Sequence, residues 1–436
     1  MQDILFEAHL QSCLAVVETA LDGMQLDAVV IQAGDTRYAF QDDQTYPFRV
    51  NPWFAWLVPS PPAPGSLLQI RTGHAPRLAF VAPDDYWHSP PEIPSDPWSN
   101  HFQIVVVPDA MAAVAALQQF DGAMAWIGES TPPDPAWSAN PTTLLAILEQ
   151  TRCHKTAYEI DCLRHATHLG VQGHLAAERA FRNGASEFDI HLAFLSATRQ
   201  NETALPYGSI VALNEHCATL HYQLRDLQPP ARRFSLLIDA GASWRGYASD
   251  ITRTWATSPG IFADLIDGMH RLQLELCEAV APGTSWPALH LRAHHLVAQL
   301  LHHAGLLRMS AEDAVSSGVS AAFLPHGLGH LLGLQVHDVG GFRPSADADP
   351  IARPAGHKSL RLTRQLEPGM VVTVEPGLYF IDSLLHGLRT GPHASAVNWT
   401  LVETLHPCGG IRIEDNVLVT RVGHDNLTRT AFADVN

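Results

Sequence analysis

The segment Leu236-Leu-Ile-Asp239-Ala-Gly-Ala-Ser-Trp-Arg-Gly-Tyr-Ala-Ser-Asp250-Ile-Thr-Arg-Thr254 decides the fold of the second half of the chain. An apolar strand ends at Asp239, a glycine-bearing turn follows, and the chain returns through Asp250, which predicts a β-hairpin. A carboxylate that closes an apolar strand is costly to bury unless it meets a cation. Asp239 alone also fits a turn or cap residue, but two carboxylates in one hairpin favour a shared metal ion.

Two further carboxylates and one histidine occur in similar apolar settings. Glu375 follows the run Val-Val-Thr-Val, and Glu414 has apolar neighbours on both sides. Each of these could instead pair with a buried arginine. His330, within residues 324–333, would add a nitrogen ligand, although a single histidine in apolar surroundings is more often a hydrogen-bonded core residue.

Four carboxylates and one imidazole together predict a dinuclear metal site. Hard oxygen ligands with a single histidine suit Mn(II), Co(II) or Fe(II). Two such ions, roughly 3.5–4 Å apart, hold and deprotonate a bridging water and polarise a carbonyl, which predicts hydrolysis without a covalent intermediate. The sequence contains no G-x-S-x-G, Walker A or G-x-G-x-x-G motif, and Gly327 stands where an H-E-x-x-H helix needs glutamate.

A second group of histidines falls within one predicted helix and has no acidic or cysteine residue at matching spacing. We expect these to form a solvated or partner-facing histidine surface and not a metal site: His290, His294, His295, His302 and His303.

Composition sets broad limits on function. The chain has 436 residues, 46% of them apolar, and 27 basic against 44 acidic residues give a formal charge of −17. Such a chain repels nucleic acid and anionic membrane surfaces. Six scattered cysteines, an acidic start and the lack of an eighteen-residue apolar run predict a cytoplasmic protein with no membrane segment.

The first third of the chain predicts an α/β domain with a largely buried sheet. Strand-length apolar runs (28–32, 78–81 and 104–107) alternate with helical segments (10–21 and 110–119). Thr156 and Glu159 form a capping box that opens a long helix, so we place the domain boundary near residue 153.

The remainder of the chain predicts an α+β domain with helices packed on an antiparallel sheet. The expected helices span residues 261–280 and 287–307, and the expected strands span residues 209–213, 234–240, 371–374 and 417–420.

The ordered series Asp239, Asp250, His330, Glu375 and Glu414 resembles the metal site of the pita-bread metallopeptidases, which include methionine aminopeptidase, aminopeptidase P and prolidase. The chain looks most like the bacterial-type prolidases, which are Xaa-Pro dipeptidases. Long blocks of sequence carry the resemblance: residues 41–52, 206–216, 326–338 and 409–416.

The resemblance implies a role for each matching residue. The five residues of the series would bind metal, with Asp250 and Glu414 bridging, and Glu375 would also shuttle the proton to the leaving prolyl nitrogen. His221, His326 and His337 would contact the substrate and the tetrahedral intermediate, unless they are ordinary hydrogen-bonded histidines.

Three further residues match substrate-binding positions. Arg361 would clamp the proline carboxylate, and its alternative is a surface pair with Glu367. Arg412 would lie on the strand face of Glu414 and orient that ligand. Tyr207 matches a pocket tyrosine of relatives that also hydrolyse organophosphorus esters.

The resemblance implies a pita-bread catalytic domain at residues 154–436, preceded by a smaller α/β domain at residues 1–153. It implies two divalent ions per subunit, with Mn²⁺ expected and Co²⁺ or Zn²⁺ as alternatives, an Xaa-Pro dipeptide substrate and a homodimer. Two alternatives stay open: an aminopeptidase P that acts on longer peptides, and a non-catalytic peptide- or protein-binding scaffold on the same fold.

Overall fold

The computed structural model describes residues 2–59, 63–117 and 122–435, which divide into two compact units. The first unit extends to residue 160 and includes residues 345–347. The second unit comprises residues 161–344 and 348 onwards. Each unit has its own sheets and core.

The first unit is built on one mixed six-stranded sheet. Its strands are β1 (Ala28–Gln32), β2 (Leu67–Arg71), β3 (Arg77–Val81), β4 (Gln103–Val107), β5 (Met124–Ile127) and β6 (Ser138–Ala139). Its helices are α1 (Gln2–Gly23), α2 (Pro52–Ala55), α3 (Ala110–Leu117) and α4 (Thr142–Cys153). The strand order is β4-β3-β2-β1-β5-β6, and every residue of β1 and β5 is buried. The predicted α/β domain is therefore confirmed.

Two helices of this unit differ from the predicted ranges. The structure describes α3 as far as Leu117, so the last two residues of the predicted range, 118 and 119, lie outside the described residues. Helix α1 is longer than predicted, and by length and composition alone it could cross a membrane. A core helix passes the same test, and α1 buries Phe6, Leu10 and Val17 within the first unit.

The second unit combines long helices with short antiparallel strands. The helices are α5 (Ala157–Arg182, which begins in the first unit), α6 (Glu187–Thr198), α7 (Ile261–Glu278), α8 (Trp286–His303), α9 (Ala311–Ser316), α10 (Val319–Phe323), α11 (Asp382–Thr390), α12 (Trp399–Leu405) and α13 (Leu427–Val435). The strands are β7 (Ile210–Leu213), β8 (Ser235–Asp239), β9 (Ser243–Trp244), β10 (Tyr247–Ala248), β11 (Thr252–Ala256), β12 (Val371–Val374), β13 (Gly377–Tyr379), β14 (Gly410–Arg412), β15 (Asp415–Val419) and β16 (His424–Asn426).

The hairpin predicted from residues 236–254 is present, and its first strand pairs antiparallel with a strand on each side. Strand β8 lies between β7 and β11, and Asp239 stands opposite Thr252 in the register. An isolated bridge then joins Thr252 to Glu414. The pairings β12-β15-β16 and β13-β14 are antiparallel as well, which confirms the α+β prediction.

The helix boundaries follow local capping chemistry. The Thr156 N–H donates to the Glu159 carboxylate at 2.9 Å, and the Thr156 hydroxyl accepts from the Glu159 N–H at 3.4 Å, so the capping box that opens α5 is real. Helix α8 ends at His303 and not at residue 307, because Gly305 takes a left-handed φ of 75° that terminates the helix.

Candidate metal centre

The five sequence-predicted ligands line one cavity of about 430 Å³ in the second unit. They come from five separate segments: the end of β8, the turn before β11, the loop after α10, the residue after β12, and the connection between β14 and β15. The same cavity is lined by five of the other predicted site residues, namely His221, His326, His337, Arg361 and Arg412.

A close backbone approach in the hairpin brings Asp239 and Asp250 together. A Cβ on Gly241 would lie 1.9 Å from the carbonyl oxygen of Ser249, so only glycine allows the two strands to meet here. The Tyr207 hydroxyl lies 2.7 Å from Asp239 Oδ1 and 2.5 Å from Asp250 Oδ1. A hydroxyl has one proton, so it donates to one carboxylate at a time.

His330 has the orientation of a neutral metal-binding imidazole. Its Nδ1 lies 3.0 Å from the carbonyl oxygen of Leu331, which can only accept, so Nδ1 carries the proton. Nε2 therefore presents its lone pair 3.5 Å from Asp250 Oδ2 and 3.7 Å from Glu375 Oε1. Burial lowers the pKa of His330, which favours this neutral form.

The carboxylates repel one another in a buried space. One ligand atom from each of Asp250, His330 and Glu414 lies within 4.8 Å of the others. Burial raises the pKa of Asp250, with Asp239 adding to the effect, and burial raises the pKa of Glu414, with Asp250 adding to it. Burial and then Glu414 raise the pKa of Glu375 in the same way. A cation in this space would relieve the repulsion.

Only one of the four carboxylates is neutralised by a guanidinium in the described part of the chain. Arg412 Nη2 donates to Asp239 Oδ2 at 2.7 Å, whereas Asp250, Glu375 and Glu414 have no arginine or lysine ion pair among the described residues. Arg412 reaches Glu414 indirectly, because its Nε donates to Thr252 Oγ1 and Thr252 donates to Glu414 Oε2 at 2.7 Å.

The three other predicted histidines lie on the cavity wall. His326 Nδ1 lies 2.8 Å from the Gly327 carbonyl oxygen and 3.6 Å from Glu375 Oε2. The His337 ring centroid lies 4.4 Å from that of His330, and His221 is exposed. Burial lowers the pKa of His326 to about 4; burial and then His330 lower the pKa of His337 to about 3.

The predicted substrate residues divide into two groups. Arg361 is exposed and lines the cavity, and Glu367, its alternative partner, has an oxygen 2.5 Å from Arg364 Nη2. Tyr207 and Arg412, in contrast, contact the carboxylates themselves.

Several residues around the ligands were missed in the sequence. Thr252 links Arg412 to Glu414, and the Thr373 hydroxyl accepts from the His330 N–H at 3.2 Å. The Tyr379 hydroxyl lies 2.7 Å from Arg412 Nη1. One available signal was threonine at buried strand positions two residues from predicted ligands.

The interpretation of the second histidine group was wrong for two of its members. His290 and His294 are each 1% exposed and lie beside His357, a residue that the sequence did not single out. His302 and His303 are exposed, as a solvated surface requires, and His295 is half-buried.

Comparison with known proteins gives the family and relatives of the chain. The model of metallopeptidase family M24 matches residues 161–421, and that of the Xaa-Pro dipeptidase N-terminal domain matches residues 4–150. The chain is 48% identical to the Xaa-Pro dipeptidase of Xanthomonas euvesicatoria pv. vesicatoria over 431 residues, which is 98% of each protein. It is 47% identical to that of Stenotrophomonas maltophilia strain R551-3, covering 99% of this chain and 98% of the relative.

Solved structures support the fold. Escherichia coli aminopeptidase P in its low pH form aligns with a TM-score of 0.76 at 24% identity, covering 99% of this chain and 96% of the other. The same enzyme with the inhibitor Pro-Leu aligns with a TM-score of 0.75 at 23% identity over the same shares of the two chains.

Proposed function

Because the chain belongs to metallopeptidase family M24 and is similar along nearly its whole length to Xaa-Pro dipeptidases, we propose that it hydrolyses Xaa-Pro dipeptides with two divalent metal ions. The proposed ions are Mn²⁺, with Co²⁺ or Zn²⁺ as alternatives, since an oxygen-rich donor set suits a hard cation. The proposed ligands are Asp239, Asp250, His330, Glu375 and Glu414, with Asp250 and Glu414 shared, in a catalytic domain of residues 154–436.

One observation carries this proposal. Asp250, Glu375 and Glu414 are brought together in a buried space, and none of them has an arginine or lysine partner among the described residues. Their raised pKa values mean that the protein alone stabilises their ionised forms poorly. Divalent cations would reverse this effect, because the ion becomes the largest local charge.

When bound, the two ions would supply an activated water and polarise the scissile carbonyl. Glu375 is placed to hold the proton that this water releases, because its carboxylate lies in the cavity within 3.7 Å of both His326 and His330 and its pKa is raised by burial and Glu414. We propose that Glu375 passes the proton to the leaving prolyl nitrogen.

Arg361 is the proposed reason for restriction to dipeptides. A guanidinium on the cavity wall can bind a free proline carboxylate with two parallel hydrogen bonds, and a longer peptide has no carboxylate at that position. Aminopeptidase P activity is the second candidate, favoured only by the exposure of Arg361, which leaves room for a longer chain.

Turnover of a Gly-Pro-type dipeptide and of a tripeptide with proline second separates these two candidates. We expect preferential cleavage of the dipeptide. Arg361→Ala should raise the dipeptide KM about 10- to 100-fold, the equivalent of a lost charged hydrogen-bond pair. Lys358→Ala is the matched control, because Lys358 is also exposed and lines the cavity. Cleavage of the tripeptide alone would show that the role given to Arg361 is wrong.

Metal analysis tests the enzyme against the scaffold alternative. We expect at least two divalent ions per chain in purified protein and loss of Mn²⁺-stimulated hydrolysis in Asp250→Asn. A native protein that holds no metal and shows no Mn²⁺-stimulated hydrolysis would favour the scaffold.

Three further features of the function are proposed on the resemblance. These are a homodimer, a cytoplasmic location and a side activity on organophosphorus esters, since the same ions can polarise a phosphoryl oxygen. Sedimentation, cell fractionation and a phosphotriester assay with Mn²⁺ test them in turn.

A further inference from the structure

Three histidines outside the proposed catalytic site meet at the buried face of α8. His290 and His294 are one helical turn apart on that helix, and His357 approaches from a loop. The three ring centroids are 4.6 to 4.7 Å apart in every pairing. One nitrogen from each ring lies within 4.8 Å of one nitrogen from each of the others.

Two nitrogens of this cluster are buried without a partner. His294 Nδ1 lies 3.1 Å from Ser320 Oγ, which leaves Nε2 unbonded, and His290 Nδ1 is likewise unbonded among the described residues. Both side chains are 1% exposed, so bulk solvent does not reach these two nitrogens. An unsatisfied buried polar atom costs about 1–3 kcal/mol, which calls for a ligand or a specific reason.

We propose that His290, His294 and His357 form a third metal site, which binds one Zn²⁺ ion or a similar nitrogen-preferring divalent ion through three imidazoles. A tetrahedral Zn²⁺ with bonds of about 2.0–2.1 Å places ligand nitrogens about 3.3 Å apart and leaves a fourth position for water. His290 Nε2 and His357 Nδ1 are 2.8 Å apart, so a small separation of the two rings admits the ion.

The protonation states suit a metal site. Burial, followed by the neighbouring histidines, lowers the pKa of His290 to about 2 and that of His294 to about 3. Burial also lowers the pKa of His357. All three rings are therefore neutral at pH 7. The proton in the 2.8 Å contact between His290 Nε2 and His357 Nδ1 must move to the other nitrogen of its ring when the ion binds. His357 is only half-buried, which gives the ion a route from solvent.

The donor set separates this site from the proposed catalytic one. Three nitrogens without a carboxylate select Zn²⁺, Co²⁺ or Ni²⁺ over Mn²⁺, whereas four carboxylates favour the harder ion. His326 neighbours the cluster but does not join it, because its two ring nitrogens bond to Gly327 and Tyr379.

Occupancy of this site would also fix a segment of the catalytic cavity. His357 immediately precedes Lys358 and Ser359, and Arg361 lies two residues after Ser359. Lys358, Ser359 and Arg361 all line the proposed catalytic cavity. An ion that binds His357 to the rigid helix α8 would restrict the loop that carries the proposed carboxylate clamp.

Zinc stoichiometry in a protein with a disabled catalytic site tests the proposal. In the full-length Asp250→Asn/Glu414→Gln variant, we expect His357→Gln to remove one Zn²⁺ per chain, measured by mass spectrometry of the metal after gel filtration. His302→Gln, on an exposed face of the same helix, is the matched control and should remove none. Circular dichroism checks that each variant is folded. We expect His357→Gln to fold, because His357 is partly exposed.

A second readout identifies the ligands. X-ray absorption of the zinc-loaded Asp250→Asn/Glu414→Gln protein should show a shell of three imidazoles at about 2.0–2.1 Å. Equal zinc content with and without His357→Gln, or a shell dominated by oxygen, would overturn the proposal. Neither result depends on peptidase activity, so the third site can fail while the proposed function stands.

Discussion

Glu414 and Asp415 are neighbours in the chain, both are buried, and they have opposite electrostatic surroundings. Side chains of adjacent strand residues point to opposite faces. Glu414 faces the metal cavity, where its carboxylate accepts from Thr252. Asp415 faces away and accepts from Arg253 and Arg429, each at 2.7 Å.

The pKa values of the two carboxyl groups follow from these surroundings. Burial and the nearby Asp250 raise the pKa of Glu414. Burial alone would raise the pKa of Asp415 as well, but Arg253 and Arg429 hold it well below its usual range. Asp415 has two direct guanidinium partners, whereas Glu414 has no direct ion pair with arginine or lysine among the described residues. A buried acid that the protein does not neutralise indicates a cation from outside.

The largest effect that this comparison predicts is on activity. Glu414→Gln should lower kcat/KM about 10³-fold or more, because loss of this proposed metal ligand would remove several kcal/mol of transition-state stabilisation. Asp415→Asn, assayed on the folded protein with Mn²⁺, should change kcat/KM less than about tenfold. Steady-state dipeptide kinetics on both variants measure the difference. Similar losses of kcat/KM in the two variants would show that Glu414 and Asp415 do not have different roles.

The next largest effect is on the free energy of unfolding and concerns Asp415. Asp415→Asn should lower the free energy of unfolding by about 3–5 kcal/mol, because it leaves two guanidinium groups buried or half-buried without their anion. Glu414→Gln in the metal-free protein should cost far less, since it removes one of several repelling charges. Denaturant unfolding of the metal-free variants tests the ranking, which is wrong if Glu414→Gln is the more destabilising change.

A smaller effect tests whether the Thr252 hydroxyl positions Glu414 for metal binding. Thr252→Val removes the hydroxyl that donates to Glu414, and we expect a loss of about 10- to 100-fold in metal affinity. Thr254→Val is the matched control on the same strand, because the Thr254 hydroxyl bonds only to the backbone of Arg412. Calorimetric Mn²⁺ titration should find the control close to wild type. Equal losses would mean that strand packing, and not the hydroxyl, controls the site.

The smallest effect is a pH dependence of stability. A carboxyl group whose pKa is raised by folding stabilises the protein at low pH and loses that contribution as the pH rises from its ordinary value, about 4, through the raised value. The metal-free wild type should therefore lose stability relative to Glu414→Gln as the pH rises above the ordinary pKa of a glutamate carboxyl. The contribution of Asp415 to stability depends on pH in the opposite direction. It is lost only as the pH falls below the ordinary pKa of an aspartate carboxyl. A difference in unfolding free energy between the two proteins that stays constant with pH would contradict this prediction.

The sequence predicted the hairpin and both domain classes because these depend on local patterns. The apolar run that ends at Asp239 and the glycine-bearing turn determine the hairpin within one segment. The capping box at Thr156 is equally local. The four acidic ligand candidates were singled out because each carboxylate closes or interrupts an apolar run, a signal that needs no knowledge of tertiary contacts.

The missed features depend on residues that are distant in the sequence. The partners of Asp415 are 162 and 14 residues away, so nothing near it distinguishes it from Glu414. His290 and His294 were expected on a solvated or partner-facing surface, but helical periodicity places them on the buried stripe of α8 with Leu289, Val297 and Leu301. Their contact with His357 could not be predicted in this way, because His357 is 67 residues away from His290.

The contact between Thr252 and Glu414 has a consequence for biosynthesis. These residues are 162 positions apart in the sequence. A ribosome releases the N-terminal regions first, at about 5–20 residues per second, so the hairpin acids emerge many seconds before their last partner. The five proposed ligands can come together only after residue 414 has left the ribosome, so ion selection by the complete set would follow the synthesis of that residue.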